Sequence, residues 1–185
     1  MSIMDSILEY NKEFVQNKEY EKYQTTKFPD KKLVILTCMD TRLIELLPQA
    51  MNVANGDAKI IKNAGAVISH PFGSTMRSIL VALYELQADE VAVIGHYGCG
   101  MTGMNADPII EKALQNGMDQ NSLDTLSYAG VDVEKWLKGF DDVEENVQNS
   151  VDMIRKHPFL PENTPVHGLV ISPETGELTV VDKPE

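Results

Sequence analysis

The sequence predicts an α/β fold: a mainly parallel central sheet flanked by helices, with an N-terminal helical arm and a C-terminal strand pair. Three observations predict it. The stretch "KLVILTC" at residues 32–38 is a continuous β-branched and leucine-rich run, the pattern of a strand covered on both faces. Between residues 58 and 96 strand-like runs alternate with a helical one, and such alternation builds a parallel sheet with right-handed crossovers and helices on its faces. The chain has 185 residues, 43% of them hydrophobic, enough for a single domain over 1–185 with a substantial core.

In chain order, Ile3, Ile7, Leu8, Phe14 and Val15 fall on one helical stripe, which makes residues 1–25 a helical arm. The buried strand at 32–38 follows. "AKIIKNAG" at 58–65 reads as a second strand running into a glycine turn. "STMRSILVALYELQ" at 74–87 has apolar residues at helical spacing, with Ser74 as N-cap. "EVAVIGH" at 90–96 is a third strand. Residues 102–130 carry no pattern from which boundaries can be drawn. "DVEENVQNSVDMIRKHP" is a helix stopped near Pro158, and "TPVHGLVISPETGELTVVD" is two strands joined by a turn containing Gly176. No internal repeat or low-complexity tract is visible.

Charge narrows the partners. With 16 Lys plus Arg against 28 Asp plus Glu, the formal net charge of −12 repels a phosphate backbone, so neither nucleic acid nor an anionic membrane is expected. The start "MSIMDSILEYNKEF" lacks the basic residues and apolar core of a signal peptide, and no apolar run approaches a membrane span. The expected location is cytoplasmic. In a reducing compartment two cysteines serve more often as free thiols or metal ligands than as a structural disulfide.

Parallel α/β sheets bind ligands beyond the carboxyl ends of their strands, where the strand order reverses. Cys38, Gly65 and His96 each fall at such an end. "CMDTR" (38–42) and "HYGC" (96–99) therefore meet at one edge, although 58 positions separate Cys38 from His96. Catalytic zinc takes three protein ligands and keeps a fourth position open, and two thiolates with one imidazole are among its known ligand sets. Cys38, His96 and Cys99 supply that set, and Gly98 and Gly100 let the short loop bend onto one ion. Asp40 could reach the metal as a fourth ligand in a closed state, or accept a hydrogen bond from bound water while Arg42 holds it in a bidentate fork.

These residues resemble the β-class carbonic anhydrases, whose paired signature Cys-x-Asp-x-Arg and His-x-x-Cys-Gly appears as "CMDTR" and "HYGCG". The likeness extends through "KNAGAVI", the helix "STMRSILVALYEL" and the late "VHGLV…GEL", so it covers 33–182 in broad order, and it is greatest toward the short, compact members. It implies Cys38, His96 and Cys99 as Zn2+ ligands, with Asp40 and Arg42 as the catalytic dyad. The implied reaction is attack of zinc-bound hydroxide on carbon dioxide to give bicarbonate. The implied assembly is a homodimer or higher homo-oligomer whose N-terminal helix reaches over the partner. Two positions depart from the family. Lys62 stands where many members have Arg, keeping the charge without the planar fork. Ile35 stands where some carry the Trp of a regulatory bicarbonate site.

Plainer readings compete at each position. Free cysteines commonly pack as small hydrophobes, and Asp40 with Arg42 would equally make a loop salt bridge. His70 reads as an exposed loop residue, His157 as a helix C-terminal imidazolium, His167 as structural, and Met101 and Met104 as packing. A cysteine-phosphatase loop is excluded because only three residues separate Cys38 from Arg42, and no GxxxxGK[ST] run is present. Hydrolysis of carbon disulfide or carbonyl sulfide on the same fold, and a non-catalytic zinc-binding or redox-sensing protein, remain as alternative functions.

Overall fold

A computed structural model describes residues 2–184. Helix α1 (Ile3–Gln16) is closed at its start by a reciprocal capping box: the Asp5 N–H donates to Ser2 Oγ and the Ser2 N–H to Asp5 Oδ2. None of its residues is buried. Of the arm expected over 1–25, the α-helix covers only Ile3–Gln16, and a short 3-10 turn follows at Glu19–Tyr23; its apolar stripe is in solvent except for Phe14, which stacks on Tyr23, and Met1 lies outside the described residues.

Strands β1 (Leu33–Cys38), β2 (Ala58–Asn63), β3 (Glu90–His96) and β4 (Val166–Ile171) are parallel to their neighbours, and β5 (Leu178–Asp182) runs antiparallel to β4. Their order is β2-β1-β3-β4-β5. The chain thus leaves β1 to one side through α2 (Leu43–Ala50) and returns to its other side through α3 (Ser74–Tyr84). The order reverses between β1 and β3, whose last residues are Cys38 and His96.

Helices cover both faces of the sheet. On one, Val34, Leu36, Val91 and Val93 pack with Met76 and Ile79 of α3 and with Val147, Val151 and Ile154 of α7 (Val143–Arg155). On the other, Ile35, Ala92, Ile94 and Ile171 pack with Leu43 and Leu47, one turn apart on α2. Burial on both faces is why β1 and β3 read as unbroken apolar runs. Gly95 lets α7 approach: a β-carbon there would lie 2.8 Å from Val143 Cγ2 and 2.9 Å from Val147 Cγ2.

Local boundaries differ from the pattern at several points. Gly73, in extended conformation, is the N-cap of α3, and Ser74 is its first helical residue; the helix ends at Tyr84, before residue 87. The strand within 58–65 does run into a glycine turn: it ends at Asn63, and Gly65 and Ala66 take positive φ (82° and 56°) in that turn. Helix α2 was not marked by the pattern, since Pro48 interrupts a short amphipathic run. Residues 102–130, where no boundaries could be drawn, hold α4 (Asp107–Gln115) and α5 (Gln120–Tyr128), and α6 (Val133–Leu137) follows.

Candidate metal centre

Parallel pairing of β1 with β3 brings Cys38 and His96 to the same edge, and the turn after β3 folds Cys99 back to them. The three side chains are buried (4%, 1% and 7% exposed), and their ligand atoms all lie within 4.8 Å of one another. Cys38 Sγ and Cys99 Sγ are 3.8 Å apart, and both cysteines are free. Two thiolates on a tetrahedral zinc at about 2.3 Å each stand roughly 3.8 Å apart, so the spacing suits that ion and lies far beyond a disulfide bond.

The imidazole is oriented for the same purpose. His96 Nδ1 lies 2.9 Å from the Tyr97 carbonyl, which can only accept, so Nδ1 carries the proton and Nε2 keeps its lone pair. Nε2 is buried and, among the described residues, has no hydrogen-bond partner. An orphaned buried acceptor beside two thiols is costly unless something electron-deficient meets it. The donor set therefore fits zinc.

Protonation in this cluster is shared. Burial pushes the Cys38 thiol up, but the neighbouring His96 imidazole, the Gly65 and Asp40 N–H groups and the Cys99 thiol outweigh it and bring it to about 7. Burial raises the Cys99 thiol, with the neighbouring Cys38 charge adding to it. The neighbouring Cys38 raises His96. The geometric donor to Cys38 is the Gly65 N–H, 3.4 Å from Sγ.

Asp40 and Arg42 form the fork that their spacing suggests. Arg42 Nε donates to Asp40 Oδ1 and Nη2 to Oδ2, each at 2.9 Å, and the Arg42 backbone N–H also reaches Oδ1 at 2.9 Å. The Arg42 hydrogen bonds hold the Asp40 carboxyl well below the usual carboxylate range. Nη2 donates again to the Gly98 carbonyl at 3.0 Å, which ties the "CMDTR" turn to the "HYGC" turn. Asp40 Oδ2 lies 3.7 Å from His96 Nε2, at the edge of the cluster. Gly98 has φ 62° and needs its glycine, whereas Gly100 has ordinary φ and open space around it, so only one of the two expected glycines serves the bend.

The other flagged residues stand apart. His70 Nδ1 accepts from the Phe72 N–H in an exposed turn. His157 is buried between Phe72 and Phe159 just after α7, and its Nδ1 accepts from the Phe159 N–H. His167 faces Glu90 at 3.0 Å. Ile35 is in the core and Lys62 is exposed at the end of β2. Sequence reasoning missed the Gly65 N–H and the buried α7 side chains Asn146 and Ser150. Their signal was two polar residues one turn apart inside the apolar stripe of Val143, Val147, Val151 and Ile154.

Comparison with known proteins places the chain among carbonic anhydrases. The family model described as carbonic anhydrase matches residues 33–178. "Putative carbonic anhydrase YvdA" of Bacillus subtilis (strain 168) is 64% identical over 181 residues, 98% of this chain and 92% of that protein. Carbon disulfide hydrolase of Acidithiobacillus thiooxidans is 28% identical over 155 residues, 80% of this chain and 76% of its own. The crystal structure of β-carbonic anhydrase isoform I from Trichomonas vaginalis superposes with a TM-score of 0.90 at 34% identity, covering 100% of both chains. With both signature turns at the switch point and the likeness running through the whole sheet, the chain belongs to the β-class carbonic anhydrase family.

Proposed function

We propose that the chain catalyses reversible hydration of carbon dioxide to bicarbonate, with zinc held by Cys38, His96 and Cys99 and with Asp40 and Arg42 as the catalytic dyad. The observation that carries the reading is the orphaned His96 Nε2 beside two thiols 3.8 Å apart, with the Asp40–Arg42 fork at its edge. Zinc bound there would act as a Lewis acid and acidify a water for attack on the substrate carbon, a role for which carbonic anhydrase is itself the standard example. Asp40, kept ionised by Arg42, can only accept hydrogen bonds. It orients a water by taking one of its O–H bonds, and so aims an oxygen lone pair away from the carboxylate. Arg42 keeps that carboxylate turned from the cluster and, through Gly98, keeps the Cys99 turn in register with it.

Hydrolysis of carbon disulfide or carbonyl sulfide is the second reading, favoured by relatives named carbon disulfide hydrolase at 27–29% identity. All three substrates are linear, neutral triatomics, and the ligand set does not distinguish them. The chain is further proposed to act as one cytoplasmic domain and to assemble as a homodimer through α1, whose apolar stripe is otherwise in solvent. Among the described residues no helix is long and apolar enough to cross a membrane.

Stopped-flow hydration of carbon dioxide, with carbon disulfide and carbonyl sulfide in parallel, tests the substrate. Elemental analysis of the same preparations should give one zinc per chain, and Cys38→Ser or Cys99→Ser should lose most of it. Turnover confined to the sulfur substrates selects the second reading. Full zinc in both serine variants removes the ligand assignment.

A further inference from the structure

We infer that Asn146, on α7, is a positioning residue for the Cys38 thiolate, acting through the turn at Gly65 and Ala66. Resting on the reading of Cys38 as a metal ligand, this gives a function to a side chain in neither signature motif, 108 positions from the cysteine that it serves.

The connection runs through backbone. The Gly65 N–H donates to Cys38 Sγ, while the Gly65 carbonyl accepts from Asn146 Nδ2 at 3.0 Å. These two groups belong to the peptide units on either side of the Gly65 α-carbon. Fixing the second unit sets the torsions that aim the first, and glycine has no β-carbon to confine those torsions itself. The turn does not hold its own shape by preference, because Ala66 follows Gly65 into positive φ, a conformation that alanine rarely adopts.

Neighbouring bonds show what keeps it there. Ser150, one turn after Asn146 on α7, donates to the Ala66 carbonyl at 3.4 Å and accepts from the Ile68 N–H at 3.3 Å. From the sheet side, Asn63 Nδ2 donates to the Val67 carbonyl at 2.7 Å and Asn63 Oδ1 accepts from the Val67 N–H at 3.1 Å. Both α7 side chains are buried, at 7% and 2% exposed, within an otherwise apolar face. Polar groups in that setting are unfavourable unless hydrogen-bonded, and these two direct their bonds at the turn that faces the thiolate. A donor to a thiolate tempers its basicity, and partners of this kind commonly change metal affinity 10–100-fold when removed.

The test uses the full-length protein loaded with cobalt(II) or NMR-active cadmium, so that no readout depends on turnover. Asn146→Asp keeps the side-chain shape and loses the N–H donor. It should shift the sulfur-to-cobalt charge-transfer absorption and release zinc to a chelator about tenfold faster or more. Ser150→Ala should act in the same direction and more weakly. In the cadmium-loaded parent, a coupling between the metal and the Gly65 amide proton should be observed across the N–H···S bond. A parent-like absorption band and release rate in Asn146→Asp overturns the role. Absence of the Gly65 coupling in the parent overturns it without any variant, should Asn146→Asp not fold. A parent that takes up cobalt with no sulfur charge-transfer band instead removes the ligand reading itself.

Discussion

Arg42 makes three contacts with one carboxylate and a fourth with the Gly98 carbonyl, although its side chain is 45% exposed. Exposed ion pairs contribute only about 0–1 kcal/mol, so stability does not account for this geometry; orientation does. Replacing Arg42 with Ala frees Asp40 Oδ2, already 3.7 Å from His96 Nε2, to turn into the cluster and close it. Arg42→Ala should therefore lower kcat/KM for carbon dioxide by about 10–100-fold near neutral pH. The deficit should narrow as pH rises, because hydroxide then competes better with the freed carboxylate. Arg42→Lys should recover part of the loss, since it restores charge without the fork. A pH series on the three proteins at equal zinc content decides it: superimposable profiles would show that the pair does not gate the site.

Elements place these residues, and β3 and α7 fit closely at Gly95. A β-carbon at Gly95 would press on two valine methyl groups of a helix that also carries Asn146 and Ser150. Gly95→Ala should destabilise the protein by about 1–3 kcal/mol, the usual range for overpacking a core. Urea unfolding measures this, and an unchanged midpoint would mean that α7 is free to shift. The helix is tied at its other end as well. Asp182 of β5 accepts from Gln148 Nε2 at 2.7 Å and pairs with Arg155. The Arg155 hydrogen bond lowers the Asp182 carboxyl below its ordinary value. A carboxyl depressed in the folded state stabilises at pH above its unfolded value of about 3.9, and that contribution is lost as pH falls through the folded value. The stability gap between parent and Asp182→Asn should thus be full at pH 7 and shrink below about pH 4. A gap that stays constant in acid would assign the effect to packing.

At the scale of the whole molecule, α1 is the unresolved balance of forces. Ile3, Met4, Ile7, Leu8 and Val15 are each more than half exposed, and the capping box alone does not sustain a helix of 14 residues in water. Burial against a second copy would supply what the single chain does not. Light scattering should report a dimer for the intact chain and a monomer once residues 1–25 are removed. A monomeric intact protein with full activity would end this account of the arm.

Much of this architecture was legible from the sequence. Periodicity marks β1, β3, α3 and α7 because each buries a face whose pattern repeats over its own residues, and the strand ends then put Cys38 and His96 at one edge. The spacing of "CMDTR" and "HYGCG" is equally local, since a turn of three or four residues has few ways to present its side chains. Tertiary structure decided the rest. Pro48 and short amphipathic runs obscured α2 and α4 to α6, whose place depends on the surface they cover. The shape of the turn after β2 depended on Ala66 accepting positive φ, which Asn63 and Ser150 compel from outside the turn. Asn146 stood out as a polar residue in an apolar stripe, but its partner was unreadable for the same reason: the Gly65 carbonyl is 81 positions away. An apolar period reports that a face is buried, whereas a single hydrogen bond between distant segments has no period and exists only once the chain has folded.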